Sequence, residues 1–142
     1  DLEGGSIREA CGRLNAQLAA VGLRLPTEDE FEAACGQHLF YFGNNVPEGD
    51  PYSNRPPATQ AETGLRFVSD SYKVELVEHV FKLGDGGQAV CGGAPWPLAW
   101  LTMATAFREW ASSTADSDAP DVLAETLEDA FVRPVRMASI AS

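Results

Sequence analysis

Basic residues are scarce in this chain. Ten Lys and Arg stand against 21 Asp and Glu, a net charge of −11. A surface that grips a phosphate backbone concentrates Lys and Arg on one face, so nucleic acid is not an expected partner. The acid surplus reads as solubility and nothing sharper. Long apolar runs are missing too. Nothing approaches the roughly 18 uninterrupted apolar residues of a membrane-crossing helix, and no secretory leader is visible. The expectation is therefore no membrane partner and a cytoplasmic location. Cysteine is limited to Cys11, Cys35 and Cys91, far apart and without a CxxC pair, and histidine to His38 and His79. A disulfide scaffold is denser than this, and a zinc site shows paired ligands. The acids between Arg108 and Arg133 do not form the Asp-x-Asp-x-Asp-Gly loop that calcium requires. The glycines at 84–87 lack the Lys-Ser or Lys-Thr of a phosphate loop. No metal and no cofactor are expected.

With hydrophobic residues at 44%, the 142 residues suffice for one domain with a core of its own. The best-marked stretch is Leu23 to Gly36. Leu23 and Leu25 alternate with Arg24 as a short strand, and Pro26 stops it. Thr27 and Glu30 then form a capping box, the hydroxyl taking a first-turn N–H while the carboxylate reaches back. Glu28, Asp29 and Glu30 place negative charge on the positive end of that helix. Phe31, Ala34 and Cys35 share its inward face, and Gly36 supplies a left-handed stop.

A second capping box, Ser6 and Glu9, opens an earlier helix to about Ala20. Ile7, Ala10, Cys11, Leu14 and Leu18 recur at helical spacing, and Gly22 ends it. Asp1 to Gly5 reads as a disordered lead. Gln37 to Asn44 is aromatic and then turns, and 44–62 is a long loop rich in Pro, Gly, Asn and Ser. Val74, Leu76, Val80 and Phe81 suggest a buried strand or a short helix over Lys73–Phe81, and β-branching favours the strand. Gly84-Asp85-Gly86-Gly87 reads as a hairpin turn. Trp100, Met103, Ala104, Phe107 and Ala111 fall at helical spacing and predict a helix over Leu98–Ser112. Ser112 to Ala119 reads as a polar linker, and Pro120 as the first residue of a last helix.

The segment Arg24-Leu25-Pro26-Thr27-Glu28, followed by Glu30-Phe31-Glu32-Ala33-Ala34, resembles the RLPTE-x-EWE-x-A stretch of the formylglycine-generating-enzyme (sulfatase-modifying factor) family. Phe31 stands where the family usually has Trp. Further elements follow in the family's order. Tyr41 to Gly43 lies where a Tyr-Pro-Trp-Gly-like element is usual. Leu76 and Glu78 fall on the Val and Glu of a Gly-Asn-Val-x-Glu-Trp word. Ala89 to Trp96 resembles an Arg-Gly-Gly-Ser-Trp strand with Gly92 and Gly93 in register, where glycines permit a kink or close backbone approach, and Phe131 to Arg136 resembles a closing Gly-Phe-Arg strand. The resemblance implies an irregular α+β fold of the C-type-lectin kind, with two N-terminal helices, short antiparallel strands and long loops. Its structural motif residues here are Arg24, Pro26, Thr27, Glu30, Gly92, Gly93 and Arg133, with Glu78 as a structural hydrogen-bond acceptor. Family members carry strands ahead of the first helix that this chain lacks, and it begins at Asp1 without a methionine. It is therefore expected to be the latter part of such a domain, within something longer.

The chemistry of the family is another matter. Its catalytic members place two cysteines shortly after the Gly-Gly pair, bind copper there and oxidise a substrate cysteine. Here that run is Trp96-Pro97-Leu98-Ala99-Trp100-Leu101-Thr102-Met103, without the soft thiolates a copper site needs. The sulfoxide-synthase branch holds iron with histidines, and His38 and His79 do not make up its triad. The resemblance thus implies a pseudoenzyme, a non-catalytic binding or scaffold module that engages a protein partner or the rest of a larger bacterial protein. Candidate binding residues are Tyr41 and Asn44 at the aromatic turn, and Trp96, Trp100 and Trp110 as anchors. Two alternatives stay open: a metal-dependent oxidase whose ligands come from missing segments, and a ligand-display protein with variable side chains.

Overall fold

In a computed structural model, residues 7–78, 80–84, 86–110, 128 and 130–137 are described. The first three elements follow local signals. α1 (Ile7–Ala20) turns Cys11 inward with Leu14 and Leu18 behind it, and Gly22 ends it at φ 76°. β1 (Leu23–Arg24) leads through Pro26 into α2 (Glu28–Ala34). Thr27 Oγ1 accepts the Glu30 N–H at 3.1 Å, and Glu30 Oε2 accepts the Thr27 N–H at 2.9 Å. The predicted capping box is complete. Phe31 and Cys35 are buried, and Gly36 turns the chain away at φ 77°.

A hairpin runs through the centre of the molecule. β2 (Val74–Val77) pairs antiparallel with β3 (Val80–Lys82), so the expected single strand over Lys73–Phe81 is two strands about a tight turn. Glu78 takes φ 50° at that turn, and His79 lies outside the described residues. β4 (Glu109–Trp110) joins the free side of β3, and β5 (Ala130–Val132) lies parallel to β2, giving the order β4-β3-β2-β5. β6 (Val135–Arg136) pairs instead with β1, Leu23 opposite Arg136. The expected closing strand is therefore split. Pro134, which has no N–H to give to a ladder, stands between two strands that belong to different sheets.

Side chains alternate across the hairpin, and each face has its own core. On one side Val74, Leu76 and Phe81 pack with Leu25, Cys11 and the α1 stripe. On the other, Val77 and Val80 meet Phe31, Cys35, Phe40, Tyr41, Phe67, Trp100 and Met103. The aromatics there interlock: Tyr41 stacks on Phe67 at 4.7 Å, and Phe31 meets the same ring edge-on at 5.8 Å.

Two expected elements are different in the structure. Where a turn and a strand were expected, α3 (Gly86–Cys91) forms, and Gly92 and Gly93 lie just beyond its end. The helix expected over Leu98–Ser112 is the short α4 (Trp96–Leu101), after which Met103 and Ala104 stay buried on irregular backbone. There the Thr105 N–H bonds the Leu39 carbonyl across the core at 2.8 Å, which draws the chain out of the helical path. The lead at 1–5, the linker at 112–119 and most of the helix expected from Pro120 lie outside the described residues. Among the described residues the architecture is mixed α+β, with four helices and small antiparallel and mixed sheets.

Candidate functional site

β5 is the last strand on its side of the sheet among the described residues. It sits beside an open cleft of about 490 Å³, whose opposite wall is the chain from Arg66 to Asp70. The apolar part of the lining is Ala58, Phe67, Val68, Phe131 and Val132. Phe131 and Val132 are 50% and 42% exposed, unusual for strand residues of these types.

The floor of the cleft is a charge pair. Glu75 is buried within the apolar run Val74–Val77, and a carboxylate there needs partners. Arg133 supplies two, Nη2 to Oε1 at 2.8 Å and Nε to Oε2 at 3.4 Å. Its Nη2 also donates to the Arg66 carbonyl, and the guanidinium lies 4.5 Å over the Phe67 ring. The Val68 N–H donates to Glu75 Oε1 at 3.3 Å. β2, the residue after β5 and the facing loop are thereby tied together by hydrogen bonds through Glu75 and Arg133. Arg66 and Lys73 add positive charge at its mouth, and Asp70, paired with Arg55 at 3.3 Å, adds negative. An extended, mainly apolar segment fits such a slot, because an open strand edge offers backbone hydrogen bonds while the flanking pockets take alternate side chains.

The candidate residues from the sequence are not brought together. Tyr41 and Trp100 are core residues; Trp100 Nε1 donates to the Gly49 carbonyl at 2.7 Å, and burial raises the Tyr41 phenol well above its ordinary value. Asn44 is exposed, but its Oδ1 accepts the Leu39 N–H at 2.8 Å and its amide meets His38 Nδ1 at 3.2 Å, closing the aromatic turn. His38 in turn reaches Glu62 at 2.7 Å, which lowers the Glu62 pKa. Trp96 is on the surface of α4, and Trp110 stands opposite Val80 in β4. Arg24, Thr27 and Glu30 form one hydrogen-bonded unit at the entry to α2, and Arg133 binds the cleft floor. Glu75, not singled out as a site residue in the sequence, accepts hydrogen bonds from Arg133 and the Val68 N–H. The signal for it was an acid set inside a four-residue apolar strand, with Arg133 in the apolar stretch that closes the chain.

The sulfur atoms do not fit a copper centre. Cys11 belongs to one core and Cys35 to the other, while Cys91 is exposed at the end of α3. Burial pushes the Cys35 thiol up to about 12 and raises Cys11 as well, so neither supplies a thiolate near neutral pH. Met103 is buried among aromatic rings. Among the described residues no three His, Cys, Asp or Glu side chains converge as metal ligands do, and no helix is long and apolar enough to cross a membrane.

Compared with protein families, curated proteins and solved structures, the chain matches none.

Proposed function

We propose that this chain is a non-catalytic binding module with a C-type-lectin-like fold of the formylglycine-generating-enzyme kind, and that it engages a protein partner. The cleft beside β5 holds an extended segment of that partner. The observation that carries this reading is Phe131, apolar and half exposed on the last described strand, in register with Glu75 and on the same face as the Arg133–Glu75 pair. Neutral, buried thiols at Cys11 and Cys35 support a scaffold without sulfur chemistry, and free thiols suit a reducing, cytoplasmic setting.

The test is a selection from a random peptide library displayed on phage, with wild type as bait and Phe131→Glu as comparison. Phe131 is half exposed but stands opposite Glu75, so circular dichroism of the variant first establishes that its fold is kept, and Phe131→Ser replaces it if it is not. Enriched peptides alternate apolar and polar residues, as a strand does, and bind the variant about tenfold or more weakly. Peptides that bind both proteins equally, or stoichiometric copper or iron in the purified protein, overturn the reading.

A further inference from the structure

Tyr52 and Tyr72 come together from separate loops and both stay exposed, 45% and 38%, with ring centroids 6.5 Å apart and planes tilted by 49°. Tyr72 is fixed from behind. A Cβ added at Gly87 would stand 2.5 to 2.6 Å from its Cζ, Cε1 and Cε2 atoms alike, so the backbone of α3 lies against one face of the ring. At the end of the same helix, Cys91 Sγ meets the Tyr72 hydroxyl at 3.2 Å. Tyr52 sits on a turn tied by Asp50, whose Oδ1 accepts the Ser53 N–H at 2.7 Å and whose carbonyl accepts the Asn54 N–H at 3.1 Å. Asp70 does the same for Tyr72, its Oδ1 accepting the Tyr72 N–H at 3.0 Å. Each ring thus stands beside a carboxylate.

Aromatic faces carry negative potential and attract a cation within about 6 Å of the ring centroid. With centroids 6.5 Å apart, one cation can come within reach of both rings. Asp70 already draws a guanidinium, Arg55 Nη2 at 3.3 Å, whereas the bonds of Asp50 are to its own turn. The Tyr72 pKa is raised, chiefly by the contact with Cys91, and Asp50 is among the charges that add to it. A neutral apolar partner would strip water from both carboxylates and give nothing back. An anion would be repelled by them and by the net charge of −11, which steers cations toward the chain. Among the described residues no three His, Cys, Asp or Glu side chains converge on a metal, so the cation that suits this place is organic. We propose that the Tyr52–Tyr72 pair, with Asp50 and Asp70 beside it, seats a basic side chain, Arg or Lys, of the protein partner. That source for the cation rests on the reading of the chain as a protein-binding module. The place itself shares only Asp70 with the cleft beside β5.

NMR titration of the full chain, labelled at tyrosine, tests it with three blocked tripeptides that carry Arg, Lys or citrulline between two glycines. Citrulline keeps the shape of Arg without its charge. The Arg and Lys peptides should move the ring signals of Tyr52 and Tyr72 saturably and leave those of buried Tyr41 in place. The citrulline peptide should bind about threefold or more weakly than the Arg peptide. Tyr52→Ala should weaken the Arg peptide by a similar factor, read on Tyr72, while Tyr52→Phe, which keeps the ring face, binds it as wild type does. Asp50→Asn keeps an oxygen for the Ser53 N–H and should weaken it about twofold or more. Equal binding of the citrulline peptide, or of the Arg peptide to Tyr52→Ala, overturns the proposal. So does tetramethylammonium bound more tightly than either basic peptide, which would mark a place for a free small cation. The Phe131→Glu comparison reads the cleft and these titrations read the tyrosine pair, so either reading can fail alone.

Discussion

Glu30 makes three bonds from one carboxylate. Oε2 accepts from the Thr27 N–H at 2.9 Å and from Arg24 Nη1 at 2.8 Å, and Oε1 from Arg24 Nη2 at 2.6 Å. The Arg24 guanidinium, followed by the Thr27 N–H, holds the carboxyl down from its ordinary 4.5 to about 2. A depressed carboxylate stabilises the folded state fully above the unfolded value, and that contribution fades as pH falls toward the folded one. Glu30→Gln should therefore lose stability near neutral pH. Its thermal midpoint should approach that of wild type as pH drops from about 4.5 to about 2. Midpoints for the two proteins that run parallel across this window would contradict the assignment. The capping half of this unit was legible, because Thr27 and Glu30 are three residues apart and the helix fixes their geometry. The Arg24 fork was not, since it depends on the angle at which β1 enters α2.

Lys82 shows how one side chain ties elements together. It stands on β3, fully buried, with Nζ 3.3 Å from Glu32 Oε1, 3.2 Å from the Thr105 carbonyl, 3.7 Å from Glu28 Oε2 and 5.7 Å over the Phe31 ring. Glu28 and Glu32 are successive turns of one face of α2, so β3, α2 and the chain after α4 meet at one ammonium. Removing one partner of a buried ion group leaves the others uncompensated, at about 3–5 kcal/mol when all are buried and less where the acids reach solvent, whereas replacing the partners together by neutral side chains of similar volume costs far less. In urea unfolding Lys82→Met should lose stability, and Lys82→Met combined with Glu32→Gln should recover part of that loss; equal losses would mean that the charges contribute nothing at this position. The same scale explains what sequence reading missed. α1, β1 and α2 carry their own caps and stops and were readable. α3 was not, because Gly84 and Gly86-Gly87 look like a turn from the sequence alone. Gly84 does take φ 84°, and a Cβ there would collide with the Lys73 carbonyl, but Gly87 is needed for its closeness to the Tyr72 ring. α4 stops early for a related reason. The spacing of Trp100, Met103 and Ala104 satisfies a helix and a buried turn equally well, and the bond from Thr105 to Leu39 decides for the turn.

At the scale of the molecule, the β2–β3 hairpin is a partition with a core on each side. Leu76 and Phe81 face α1, while Val77 and Val80 face the aromatic cluster around Trp100. Neither core closes without this sheet, so the two share one cooperative unit even though they share no side chain. The cleft beside β5 is part of the same arrangement, because Glu75 is a residue of the partition and Arg133 is anchored to it. Pattern alone pointed to apolar strands here, and it could not say that both faces would be covered, since a short continuous apolar run suits any fully buried strand. Leu76→Ala tests the coupling. The substitution opens space on the α1 side only and should cost about 2–5 kcal/mol. Tryptophan emission, with Trp100 in the opposite core, and far-UV helix signal, to which α1 contributes the longest described helix, should shift together by the same amount in guanidinium titrations, as one transition requires. If the helix signal moved and the tryptophan signal stayed at its wild-type midpoint, the cores would be separate units and the hairpin a boundary between them.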